Sequence, residues 1–96
     1  MIGKIHKYSG QKIFACCDFE LLGKTILFND LEIHISSGFY GSSKLTEEEI
    51  LSFIFDADQI NVFGKKVCDL LLSKNIITKE NIIYIENIPH IQIYKI

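Results

Sequence analysis

The residues with the most chemical potential in this sequence are three cysteines and three histidines. Cys16 and Cys17 are adjacent and run directly into Asp18, while Cys68 stands alone. A cysteine nucleophile needs a lowered pKa, supplied by a histidine, a lysine or a helix N-terminus. The turn expected from Phe19 onward offers backbone amides, and Lys24 offers a charge. The competing reading is that free cysteine in a strand is simply a small buried hydrophobe. An enzyme built on this chain would use Cys17 as nucleophile and His90 as base or orienting acid. That requires the two side chains within hydrogen-bond reach of each other. No complete catalytic set is spelled out, so no catalytic residue is assigned.

The remaining constellations are weaker. His6, His34, His90 and the cysteines form no C-x-x-C or H-x-x-x-H pair, so neither a metal nor any other cofactor is expected. Gly23-Lys24-Thr25 lacks the earlier glycine of a phosphate loop and precedes a strand-like run, which rules that comparison out. Phe39 and Tyr40 lie between Gly38 and Gly41 in what reads as a loop, either as a stacking or protein-binding anchor or folded back over the sheet. Pro89 and His90 read as a turn, with Gln92 on the same face as His90 two residues on. That pair is either aimed at a ligand or is a hydrogen-bonded piece of turn structure.

These residues have to be positioned by elements the pattern makes legible. Residues 2–8 and 12–18 are strand-type runs about Ser9-Gly10-Gln11, a hairpin whose second strand is apolar on both faces. Phe19–Gly23 reads as one helical turn closed by glycine. A third strand is expected in two pieces, Thr25–Phe28 and Leu31–Ser36. Thr46 and Glu49 form a capping box for a helix reaching Asp56 or Ala57. An extended piece, Gln59–Phe63, ends at Gly64, and a second helix covers Lys65–Lys74 with Asn75 as its stop. Ile82–Glu86 and Ile91–Tyr94 then pair about Asn87-Ile88-Pro89-His90, with the Ile88-Pro89 bond a place for a cis peptide. The expected class is α+β, a single domain over residues 1–96 with a small mixed or mostly antiparallel sheet.

The totals restrict the partners. All ten basic residues are lysines and the net charge is −2, so neither a global basic field nor an arginine fork is available for reading base edges. Sequence-specific DNA binding is not expected. No charged-then-apolar leader opens the chain, and no run approaches the roughly 20 apolar residues that span a bilayer. An odd set of unspaced cysteines fits a reducing cytoplasm. The apolar run Ile91–Ile96 is expected to be an unpaired edge, a route to self-association.

Several segments taken together resemble an archaeal family, domain of unknown function 424. They are Cys17 to Lys24, Phe39-Tyr40-Gly41, Ala57 to Val67 with Asn61 and Gly64, and Pro89-His90 with Gln92. Ser42 stands where that pattern has a further glycine, which bears on the loop, and Ile91 where it has a small residue, which implies that this position packs. The resemblance implies a small protein of no established activity, with any link to translation or RNA a contextual one. It implies a site in loops and strand ends. The resulting expectation is a non-catalytic binding module for a protein or ribonucleoprotein partner. Its contact residues would be Cys17, Asp18, Lys24, Phe39, Tyr40, Asn61, His90 and Gln92, with the Cys17/His90 enzyme and the self-associating domain as rivals.

Overall fold

Ser9 and Gly10 both have positive φ, and the two-residue turn they make folds β1 (Ile2–Tyr8) onto β2 (Gln11–Cys17) in the register Ile2↔Cys17 to Tyr8↔Gln11. The computed structural model describes residues 1–95. Its main sheet adds β5 (Gln59–Phe63), β6 (Ile83–Ile85) and β7 (Ile88–Tyr94) in the order β1-β2-β5-β7-β6, in which β2 runs parallel to β5 and the other neighbours are antiparallel. The class is therefore α+β, as the pattern implies, and β2 is covered on both faces. Phe14, Ala15, Cys16 and Cys17 are each fully buried.

One face of the sheet is roofed by the two expected helices, α2 (Glu47–Asp56) and α3 (Lys65–Ser73). The Thr46 hydroxyl accepts the Glu49 amide, and the Glu49 carboxylate accepts the Thr46 amide, so the capping box is formed at both ends. Ile50, Ile54, Val67 and Leu71 from the helices meet Phe14, Cys16, Ile60, Val62 and Ile91 from the strands. Ile91 is fully buried there, which is why a small residue is not needed at that position. Asn75, in the left-handed region, ends the second helix.

The opposite face departs from expectation. Thr25–Phe28 (β3) and Leu31–His34 (β4) are not two pieces of one strand. They form an antiparallel hairpin, because Asn29 and Asp30 both take positive φ and reverse the chain. The segment expected as a loop opens with a short helix, α1 (Ser37–Tyr40), nucleated by Ser36, whose hydroxyl accepts the Phe39 amide. This hairpin and short helix cover only one end of the face, burying Ile26, Ile35 and Tyr40 against Ile2, Cys17, Phe63 and Ile85.

The C-terminal pair also differs. Its turn is Glu86-Asn87, both at positive φ, between β6 (Ile83–Ile85) and β7 (Ile88–Tyr94). Pro89 and His90 thus lie inside a strand rather than in a turn, and the Ile88-Pro89 bond is trans. Proline is tolerated because its carbonyl, pointing toward β5, accepts the Gly64 amide just where β5 ends and no ladder donor is needed. In strand order β7 lies between β5 and β6, but β6 pairs only with Ile88–His90, so Ile91–Tyr94 pair with β5 alone and, among the described residues, have no strand on their other edge. Ile96, the last residue of the edge expected from sequence, lies outside the described residues.

Candidate functional site

The end of the sheet face that the β3–β4 hairpin leaves uncovered carries the candidate site. Side chains alternate along a strand, so Gln59, Asn61 and Phe63 of β5 face the same way as His90, Gln92 and Tyr94 of β7. Asn61 and Gln92 are direct cross-strand partners, as are Phe63 and His90. Phe39 and Tyr40 of α1 descend onto this row from above. A cleft of about 290 Å³ is lined by Phe39, Tyr40, Asn61, His90 and Gln92, together with Ile33, His34 and Phe63. A smaller lobe of about 100 Å³ continues past Phe39 to Gln59 and Tyr94.

The aromatic walls are held by one another. The His6 ring stacks on Phe39 at 4.9 Å, and its Nε2–H donates to the Phe39 carbonyl at 2.6 Å. Phe39 meets Tyr40 edge-on at 5.0 Å, Tyr40 meets Phe63 at 6.2 Å, and Phe63 stacks on His90 at 3.9 Å. The Tyr40 hydroxyl donates to Asn61 Oδ1 at 2.6 Å, and burial pushes its phenol pKa up, so it remains a donor. His90 is buried, with Nδ1–H donating to the Val62 carbonyl at 2.8 Å. Desolvation lowers its pKa against a smaller opposing effect of that hydrogen bond, favouring the neutral ring. His90 therefore forms the floor of the cleft and does not project from a turn.

Five of the eight residues singled out from sequence converge here: Phe39, Tyr40, Asn61, His90 and Gln92. The other three do not. Cys17 is fully buried, in register with Phe63, which is in turn in register with His90. Two strand spacings put Cys17 about 9–10 Å from His90, with the Phe63 strand between them. Burial, reinforced by Asp18, pushes the Cys17 thiol up to about 11, and Cys16 and Cys68 are each raised to about 12, chiefly by burial. None of the three is a thiolate near neutrality.

Asp18 is a helix cap. Gly64, at the N-cap of α3, has no side chain to offer, and Asp18 replaces it from 46 positions earlier in the chain. Its Oδ2 accepts the Lys66 amide at 2.9 Å and its Oδ1 the Val67 amide at 3.0 Å. Gly64 has φ +123°, and a Cβ there would lie 2.3 Å from the Asp18 carboxyl carbon. Lys24 is exposed at the base of the β3–β4 hairpin and lines no part of the cleft. The cleft residues missed from sequence are Ile33, His34 and Phe63, with Ile13, Gln59, Ile60 and Tyr94 in the smaller lobe. A two-residue step from Asn61 and from Gln92 reaches Gln59, Phe63 and Tyr94, so strand alternation was the available signal. Among the described residues, no three His, Cys, Asp or Glu side chains gather as a metal site would require.

Fold and cleft together define a small α+β domain with a five-stranded mixed sheet, helices on one face and a partly open opposite face. The chain belongs to the family described as protein of unknown function DUF424, whose model matches residues 6–96. It has the fold of an uncharacterized conserved protein from Methanopyrus kandleri, with a TM-score of 0.81 over 97% of this chain and 89% of that one, at 22% identity. No curated protein matches the chain.

Proposed function

We propose that this chain is a non-catalytic binding module that contacts a protein or ribonucleoprotein partner through the cleft running from Phe39 to Gln92. The observation that carries this reading is convergence. Residues from α1, β5 and β7, far apart in sequence, line one cavity on the open half of the sheet. Its walls are aromatic and amide-bearing, a composition suited to contact surfaces. A nucleophilic mechanism lacks comparable support, since the Cys17 thiol is buried, raised in pKa and separated from His90 by the Phe63 strand. Three unpaired, buried cysteines fit work in a reducing cytoplasm. Among the described residues no helix is long and apolar enough to cross a membrane.

The test is retention of partners from a cell extract by the immobilised chain at low and moderate salt, compared with Gln92→Ala and Phe39→Ala. Gln92 is exposed, so its variant leaves the core untouched, and circular dichroism checks the fold of the Phe39 variant. The reading expects a discrete species held by the wild type and lost in both variants. Equal retention by all three proteins would refute it.

A further inference from the structure

We propose that the occupant of this cleft is an extended, uncharged peptide segment of a protein partner. Its backbone amides would pair with the carboxamides of Asn61 and Gln92, and one apolar side chain would rest against Phe39. This rests on the binding-module reading and specifies its ligand. The first argument is polarity. Tyr40 occupies Asn61 Oδ1, which fixes the orientation of that carboxamide. Asn61 Nδ2 has no partner among the described residues. Because no buried side-chain nitrogen or oxygen goes unsatisfied among the described residues, this NH₂ must open to solvent on the cleft side. Directly across the ladder, the exposed Gln92 adds a carboxamide that both donates and accepts. The Asn61 carboxamide, held by Tyr40, and the exposed one of Gln92 beside it match the alternating donors and acceptors of an extended backbone.

The second argument is charge. No side chain lining either lobe is a lysine, aspartate or glutamate. A phosphodiester or a carboxylate seated here would lose water and meet only the imidazoles of His34 and His90, with no permanent counter-charge. A neutral peptide incurs no such cost. The third is shape. Phe39 borders both lobes and is clamped by the His6 ring and hydrogen bond, so a rigid apolar wall is preformed beside the amide pair.

The experiment selects peptides of about a dozen residues from a random display library on the purified chain, then resynthesises them with acetyl and amide ends. Single-stranded oligo(U) and oligo(A) RNA are titrated in parallel, with the side-chain NH₂ signals of Asn61 and Gln92 followed by nitrogen-15 NMR. The expected result is uncharged selected segments, each with a large apolar residue, that shift both NH₂ signals. Affinity should change little between about 50 and 200 mM salt. It should fall about tenfold in Gln92→Ala and in Asn61→Asp. The aspartate variant keeps an acceptor for Tyr40 while removing the donor. Peptides that bind without moving these signals overturn the inference. RNA that moves them with a steep salt dependence, where peptides do not, overturns it while leaving the binding module standing. If neither ligand moves them and the extract experiment is also negative, both readings fall.

Discussion

Replacing Asp18 should destabilise the fold rather than act on a partner contact, because both carboxylate oxygens are committed to the first turn of α3. An ordinary N-cap replaced by alanine costs about 0.5–2 kcal/mol. Here two bonds are lost, and the Val67 amide is buried, so its orphaned donor alone costs roughly 1–3 kcal/mol. The Lys66 amide lies beside an exposed side chain and can be rewetted, adding less. Asp18→Ala should therefore destabilise by about 2–4 kcal/mol, and Asp18→Asn, which keeps one acceptor, by about half as much. At roughly 4–8 °C per kcal/mol for a domain of this size, the alanine variant should melt some 8–30 °C lower in a circular dichroism scan. Gly64→Ala should also be costly, since the new Cβ meets the Asp18 carboxyl group and φ is unfavourable. Part of that cost should disappear once Asp18 is alanine, giving a coupling of about 1 kcal/mol or more in a double-mutant cycle. A loss below about 0.5 kcal/mol for Asp18→Ala, or strict additivity with Gly64→Ala, would refute the capping role.

Two further outcomes follow from buried groups. All three thiols should resist a disulfide reagent at neutral pH in the native protein and react together once denaturant is added, since burial raises each pKa to about 11 or 12. Fast reaction of one thiol in the native state would restore the nucleophile reading. His90, lowered from 6.5 by desolvation, is neutral in the fold and protonates more readily when unfolded. Its contribution is complete above the unfolded pKa and is lost as pH falls from there through the folded value, with a slope of at most about 1.4 kcal/mol per pH unit. Chemical denaturation between neutral pH and about pH 5 should show this slope in the wild type and a flatter one in His90→Gln, and equal slopes would contradict it.

The legible parts of this fold are those set by local signals. Thr46 and Glu49 announce a helix start, Ser9-Gly10-Gln11 a hairpin, and Asn75 a helix stop, and each occurs where residue type alone places it, except that Gln11 already belongs to β2. The errors share a cause. At Asn29-Asp30 and Glu86-Asn87, non-glycine residues adopt left-handed conformations that residue type only weakly advertises. One strand consequently became a hairpin, and the final turn moved by two residues. Asp18 was legible as important but not as a cap, because the amides it serves lie some 48 positions away. For the site, residue types pointed to Phe39, Tyr40, His90 and Gln92, and the family resemblance added Asn61, but their meeting depends on β5 pairing with β7. That pairing also moves the candidate cleft from loops and strand ends to the uncovered end of a sheet face.

The account rests on that open face being the one a partner occupies. A photo-crosslinking residue placed at Gln92, on the cleft, and separately at Phe55, which is 89% exposed on the helical side, tests it directly in host-cell extract. The account predicts a discrete crosslinked species from position 92, competed by unlabelled wild-type chain, and none from position 55. Crosslinks from 55 alone, or the same diffuse background from both, would contradict it.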